Sequence, residues 1–495
     1  MGLGKTYAAT VTGVEASIVV VEANISAGLP GTHIVGLADT AIGESRERIR
    51  SAVNHAGLVW PKTKVVVSLS PASLRKSGAH FDLAIALAVL AAAAKDPEAH
   101  IRLSSTLMLG ELGLDGSLRP VAGLLPILLA ARANGLHTVV IPEGNAAEAA
   151  LVDAPRVLVA RNLPEVFAWV QGLGDLDPVD YVNESAGESL LDMADVAGQK
   201  EAKFGLEVAA AGGHHMMLLG PPGSGKSMLA ARLPSLLPPL TIQQCIEATT
   251  VHSVVGRSFA GPVRRAPFVA PHHSVTRAAL LGGGSGNPKP GAVSLAHHGV
   301  LFLDEVSEIS ASILDGLRTP LEVGCVRLVR ARREVRFPAQ FQLILAANPC
   351  RCGAEEASKC KCAASQRARY LNNVSGPLRD RLDVFSRTHS RGAVLRDAAE
   401  NSASIAERVS AARDRAMHRF GCVNGAMNPH ILRRKYPADD AAMAYLTAVL
   451  GDGKVSQRGV DRALKVAWTL CDLAGKKQPD LDDVAQALEL REGLL

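Results

Sequence analysis

His215-Met-Met-Leu-Leu-Gly-Pro-Pro-Gly-Ser-Gly-Lys-Ser-Met-Leu-Ala230 decides how this chain is read. Residues 216–219 are an apolar run of strand length, residues 220–227 fit G-x-x-x-x-G-K-[ST], and residues 228–233 continue with helical character. Strand, glycine loop and helix in that order predict a phosphate-binding loop rather than a chance glycine-rich turn. Gly220, Gly223 and Gly225 let successive N–H groups face inward, and Pro221, Pro222 and Ser224 complete the loop. Lys226 has the reach for the β- and γ-phosphates of a nucleotide, and the Ser227 hydroxyl suits a hydrated Mg²⁺. ATP and Mg²⁺ are the expected ligands.

Downstream, Leu301-Phe-Leu-Asp304-Glu305 is an apolar strand ending in two carboxylates. Asp304 suits the Mg²⁺ water shell and Glu305 the attacking water, as general base. A second apolar run, residues 341–348, ends in Asn348, which is placed to orient that water. Ser375-Gly-Pro-Leu-Arg379-Asp-Arg381 then offers permanently charged guanidinium groups for an adjacent subunit's nucleotide, so a ring of subunits is expected. Each arginine taken singly also fits an ordinary surface position.

The 495 residues suggest about three domains, and 47% apolar with 4% aromatic residues is a globular composition. Eight cysteines, four of them between 350 and 362, point to a local cluster in a reducing compartment. No basic segment followed by an apolar core opens the chain. The longest apolar run, residues 83–94, is too short to span a bilayer and reads as a buried helix. A cytoplasmic protein without membrane contact is expected. Residues 1–190 carry 14 Lys/Arg against 19 Asp/Glu, whereas the remainder carries 39 against 29. A basic excess on the nucleotide-binding part is compatible with a polyanionic partner.

Residues 1–171 read as a mixed α/β domain, with strands expected at 18–23, 33–37, 64–69, 107–109 and 138–141 and helices at 41–56, 81–94 and 121–134. Gly2-Leu-Gly-Lys5-Thr6 imitates a phosphate loop but has no strand before it. Residues 172–190, acidic and rich in glycine and serine, read as a linker. Residues 191–390 form the ATPase core. Residues 391–495 form an all-α lid, with helical patterns at 398–420, 441–449, 458–474 and 481–490.

Val326-Arg-Leu-Val-Arg330-Ala-Arg332-Arg333-Glu-Val-Arg336-Phe suggests a hairpin around a basic turn. Arg327, Arg330, Arg332, Arg333 and Arg336 suit a nucleic-acid backbone, or else they solvate an exposed hairpin. The insert at residues 282–290, with Lys289, is a second candidate contact. His272-His273 and His297-His298 invite a metal reading, but adjacent residues on a strand point to opposite faces, so packing is preferred. Cys350-Arg-Cys352 and Cys360-Lys-Cys362 leave two readings open. One is a closed, structural zinc site of four thiolates, with a spacing tighter than the usual C-x₂-C. The other is four reduced thiols on a loop.

Two resemblances add to this. Arg75-Lys-Ser-Gly-Ala-His80-Phe-Asp-Leu, with Gly110-Glu-Leu and Arg119-Pro-Val-Ala-Gly-Leu-Leu125-Pro, resembles the proteolytic domain of Lon-type proteases. That comparison puts His80 at the serine position and Leu125 at the lysine position. The fold is then Lon-like while the chemistry is missing, and an assembly role is preferred. Ala266-Pro-Phe-Val-Ala-Pro-His-His-Ser274, Leu281-Gly-Gly-Gly-Ser285 and Lys289-Pro-Gly-Ala-Val-Ser-Leu-Ala-His-His-Gly-Val-Leu-Phe-Leu-Asp-Glu305 resemble the magnesium-chelatase-like AAA+ ATPases, within them the ComM/YifB group.

The resemblance implies an α/β AAA+ P-loop core with an all-α C-terminal lid, preceded by a Lon-protease-like α+β domain. It implies Asn348 as sensor 1, Arg381 as arginine finger and Arg458 as sensor 2. That group usually has leucine where this chain has Arg379, so which arginine reaches across stays open. The resemblance further implies a hexamer, a hairpin facing its channel, and ATP-driven helicase or branch-migration work on DNA in recombination or transformation. Two other classes remain. One is a protein-remodelling or regulatory ATPase. The other is a metal-chelatase motor acting on a porphyrin, disfavoured because such motors are expected to lack the first domain.

Overall fold

The protein is described by a computed structural model, covering residues 2–94, 96–153, 155–180, 191–258, 261–284, 287–330, 333–355, 359–371, 373–390 and 400–492. Its nucleotide-binding part is built on five parallel strands. Their order across the sheet is Phe268–Val269, Val300–Leu303, Gln342–Ala347, Met216–Leu219 and Val384–Arg387. Parallel strands are covered on both faces and so read as unbroken apolar runs. Every residue of Val300–Leu303 and of Gln342–Ala347 is buried. Helix Lys200–Gly212 lays Ala202, Leu206 and Val208 into the core on one side. Open parallel sheets bind ligands beyond the carboxyl ends of their strands. Leu219, Leu303 and Ala347 are those ends here, and each is followed at once by a residue expected in the site.

The first domain is an eight-stranded mixed sheet. Long strands Gly2–Thr12 and Glu15–Ser26 run antiparallel at its centre. Lys64–Ser70 and Gly31–Val35 lie beyond Glu15–Ser26, and Thr106–Met108, Thr138–Pro142 and Arg156–Ala160 extend in parallel from Gly2–Thr12. Gly2–Thr12 was not expected as a strand, because its glycines carry no β signal. Those glycines have another use. A Cβ on Gly2 or Gly4 would stand 1.9 or 2.0 Å from a carbonyl oxygen of helix Asp82–Ala94. The strand can lie against that helix only without side chains there. The helix itself, expected from residues 83–94, is buried from Asp82 to Ala92.

Asp177–Pro178, inside the segment expected as linker, pairs with Arg156–Ala160, so the first sheet reaches residue 178. Residues 181–190 lie outside the described residues. The all-α region holds Ser402–Phe420, Pro429–Lys435, Asp440–Gly451, Gln457–Leu473 and Leu481–Glu492. Pro429–Lys435 was missed because its seven residues are too few to show a period. Asn401, Asp439 and Ser456 cap three of these helices through their side chains, and Gly421 ends Ser402–Phe420 in the left-handed region.

The two halves meet along helix Ile242–Ser253. The Gly123 N–H donates to Ser253 O, and the Leu125 N–H is shared between Glu148 Oε1 and Ser253 Oγ. The Ser258 hydroxyl closes the seam by donating to Glu148 Oε2 at 2.8 Å. Leu125, Leu151, Val152 and Cys245 fill it with apolar surface.

Candidate nucleotide site

The loop after Met216–Leu219 is held in shape before any nucleotide arrives. Gly225 caps the following helix with φ +87°, a backbone setting that favours glycine. Gly220 passes so close to Thr388 that a Cβ would stand 2.0 Å from Thr388 Oγ1. Ser224 Oγ bonds both Pro221 O and Thr388 Oγ1, and Gln199 Nε2 donates to Ser224 O and His389 O. Gln199 and Thr388 are loop supports that the motif alone does not announce.

Lys226 is 7% exposed and turns back on its own loop, donating to Gly220 O, Pro221 O and Asn348 Oδ1 at 2.8, 2.9 and 3.0 Å. Burial pulls its pKa below the usual lysine value, opposed by Asp304 and Glu305. The Ser227 hydroxyl donates to the Asp304 carboxylate, and the Glu305 N–H donates to Asp304 Oδ1 at 2.8 Å. Lys226, Ser227, Asp304, Glu305 and Asn348 therefore converge from three strand ends. Hard oxygen donors from Ser227 and Asp304 fit a Mg²⁺ that keeps several waters.

Glu305 stands at φ +47°, rare for a residue with a side chain, and the bend brings Oε2 within 3.2 Å of His273 Nδ1. His273, set aside with His272 as a packing pair, thus faces the expected base. Ser227, Asp304, Glu305, His272 and His273 line a cavity of about 360 Å³. A second cavity of about 280 Å³ lies between Gly220, Pro221, Cys350, Glu355 and His389. A larger one, about 780 Å³, sits in the first domain between residues such as Leu58, Leu90 and Phe167, away from this chemistry.

The expected arginines are placed unequally. Arg381 is 8% exposed, donates to Pro377 O and pairs with the Glu322 carboxylate. The lid holds its backbone as well: Arg462 Nη1 donates to Arg381 O and Asp383 Oδ1, and Arg491 Nη1 to Leu382 O. Arg381 as expected finger would have to leave Glu322 to reach another subunit. Arg379, two residues earlier, is partly exposed. Arg458 stands exposed at the start of Gln457–Leu473, and no described contact joins it to the loop.

The basic turn is a hairpin, with Cys325–Arg330 paired antiparallel to Arg333–Pro338. Val326, Val335 and Phe337 are buried on one face. On the other, Arg327 and Arg336 both bridge Glu334, at 2.7 and 2.9 Å, which offsets part of their charge. Arg332 lies outside the described residues, and Arg330 and Arg333 are described in backbone alone. The insert pairs Gly282–Gly283 with Lys289–Pro290, leaving Lys289 exposed.

Neither histidine pair lies in a strand, which corrects the geometric argument against chelation. His298 has φ +57°, and its ring stacks beside His297 with centroids 3.9 Å apart. Both rings face Glu247, at 3.5 Å for His297 Nε2 and 2.6 Å for His298 Nε2. A metal is still opposed by the proton count. His297 Nδ1 accepts the Gln340 N–H at 3.0 Å, so in the neutral ring the proton sits on Nε2, the atom a metal would need.

A five-stranded parallel sheet with this loop and these carboxylates at its strand ends defines an AAA+ P-loop ATPase core, here with a helical C-terminal region. The family profile described as magnesium chelatase, subunit ChlI, matches residues 192–393; its C-terminal counterpart matches 399–491, and subunit ChlI of Mg-chelatase matches 21–145. The competence protein ComM of Haemophilus influenzae is 38% identical across 99% of this chain and 98% of its own. The uncharacterised protein YifB of Escherichia coli is 36% identical across 100% and 97%. An uncharacterised protein of Mycobacterium tuberculosis is 48% identical across 99% of both chains. The chain belongs to the magnesium-chelatase family, in its ComM/YifB-like group. No described helix is long and apolar enough to cross a membrane.

Proposed function

We propose that this chain is a ring-forming motor, built as a hexamer, that hydrolyses ATP to translocate on or remodel DNA. The observation that carries the ATPase half is the convergence of Lys226, Ser227, Asp304, Glu305 and Asn348 at three adjacent strand ends. In this reading Lys226 swings from its loop carbonyls to the β- and γ-phosphates, and Ser227 and Asp304 hold the hydrated Mg²⁺. Glu305 takes the proton of the attacking water while Asn348 orients it. Arg379 is the arginine offered across the subunit boundary, with Arg381 bracing the turn from within.

Support for DNA comes from the basic excess of residues 191–495, from the arginine-rich hairpin, and from the likeness to a relative named for competence. Helicase or branch-migration work in recombination or transformation is the corresponding activity. One observation favours a second reading, remodelling of proteins. Val329 is 71% exposed on the hairpin beside the Arg327–Glu334–Arg336 cluster, and an exposed apolar side chain there suits polypeptide better than phosphate. The deciding experiment is the ATPase rate with single-stranded, duplex and four-way-junction DNA at two salt concentrations. Stimulation that falls with salt supports the DNA reading. Healthy basal turnover without stimulation supports protein remodelling.

A further inference from the structure

Directly after Asn348 the chain leaves its strand and forms a lobe over the phosphate loop. Gly353 anchors it, with φ +72° and so little room that a Cβ would stand 2.6 Å from Pro222. Four cysteines of this lobe gather their sulfurs in one place. Cys350 Sγ lies 3.2 Å from Cys352 Sγ and 3.4 Å from Cys360 Sγ; Cys352 and Cys360 are 3.6 Å apart. With Cys362 included, all four sulfurs lie within 4.8 Å of one another.

That size selects a ligand. A metal–thiolate bond of about 2.3 Å sets the edge of a tetrahedron of sulfurs at about 3.8 Å. The spacings here are close to that edge. Iron–sulfur clusters put metal and sulfide between their cysteines and hold them much farther apart, so the site has room for one ion. Four soft thiolates in a tetrahedron suit Zn²⁺, whereas Mg²⁺ and Ca²⁺ take oxygen.

The surroundings are those of a thiolate cage rather than of loose thiols. The Cys362 N–H is directed at Cys360 Sγ at 3.4 Å, and the N–H groups of Ala354 and Lys361 are directed at Cys352 Sγ. Such donors stabilise charge on metal-bound sulfur. Arg351, Lys359 and Lys361 stand in or beside the two C-x-C pairs, against Glu355 and Glu356 between them, so the segment brings one net positive charge to a four-thiolate zinc site. Each C-x-C pair brings two sulfurs to the same side, so the short spacing does not prevent chelation.

We propose that Cys350, Cys352, Cys360 and Cys362 bind one structural Zn²⁺, and that this ion fastens the lobe to the phosphate loop. With four protein ligands no coordination position is open, so the ion does no chemistry on ATP. Its effect is on positions: it fixes the segment joining Asn348, which bonds Lys226, to Gly353, which packs on Pro222. Loss of the metal should loosen the nucleotide loop more than it slows the chemical step.

The test uses the full chain purified without added chelator. One equivalent of zinc by elemental analysis, and the absorption bands of a tetrahedral tetrathiolate after exchange with Co²⁺, are expected. A chain without zinc, whose cysteines all react as free thiols and whose Co²⁺ form shows no such bands, overturns the site. The Cys360→Ser/Cys362→Ser variant, checked for native circular dichroism, should lose zinc and raise the KM for ATP roughly tenfold with a smaller change in kcat. A zinc-free, folded variant with unchanged KM overturns the fastening while leaving the ATPase reading intact.

Discussion

At Glu305 the backbone is bent into the left-handed region to point one carboxylate past Asp304 and into contact with His273. Glu305→Gln keeps the shape and removes the base. It should leave ATP binding near the wild-type value and cut turnover by at least about a hundredfold, read by nucleotide binding and phosphate release. Unchanged hydrolysis would remove Glu305 from the mechanism. A second residue-scale prediction concerns His297, buried beside Glu247. Desolvation is the main cause that pushes its pKa down to about 4, with the neighbouring His298 adding to it. The unfolded chain takes up this proton near pH 6.5, and the folded chain not until about pH 4, so stability is lost as pH falls through that window. Between pH 7 and 5 the loss from this one ring is about 2 kcal/mol. His297→Asn keeps an acceptor for the Gln340 N–H and cannot titrate, so its urea midpoint should change less with pH than that of the parent. Equal slopes would refute the assignment.

Elements were legible in the sequence where one force dominated. The strands ending at Leu219, Leu303 and Ala347 are buried on both faces, and their unbroken apolar runs say so. The strand Gly2–Thr12 was not legible, because its glycines answer to a helix 80 to 90 residues on, and periodicity sees only near neighbours. The site divides in the same way. The loop and the two carboxylates are local motifs. The burial of Arg381 depends on Glu322 and on Arg462 from the lid, and the side-by-side rings of His297 and His298 depend on one left-handed residue. On the hairpin, reversing Arg330, Arg332 and Arg333 to Glu should spare basal ATPase and abolish stimulation by DNA. Stimulation that survives the change would place the contact elsewhere. Glu334→Gln should act in the opposite direction, freeing Arg327 and Arg336 and steepening the dependence of DNA stimulation on salt.

For the whole molecule, the seam along Ile242–Ser253 joins the two domains, and Asn287 Nδ2 donating to Val11 O is a further contact between them. Leu125→Lys would put a longer, charged side chain among Leu151, Val152 and Cys245, and overpacking with desolvation should cost about 2 kcal/mol even with the Glu148 carboxylate close by. The variant should melt in two transitions, or be cut by protease between its halves, where the parent melts in one. A single unshifted transition would mean that the seam carries little of the assembly. Pairing this change with His80→Ser should not create a peptidase, since position 80 is turned to the backbone: the half-buried His80 ring holds Nε2 2.8 Å from Ala9 O.

Helix Ile242–Ser253 serves two neighbours at once. Cys245 and Ser253 face the first domain, while Glu247 and His252 hold the segment that runs into Val300–Leu303 and so to Asp304. Linkage follows from that sharing. A ligand that grips the first domain and shifts this helix changes the affinity for ATP without touching it, and ATP must change the affinity for that ligand by the same factor. Through this helix the first domain would be coupled to the nucleotide, and its occupant can be sought by looking for anything whose binding tightens or loosens with ATP.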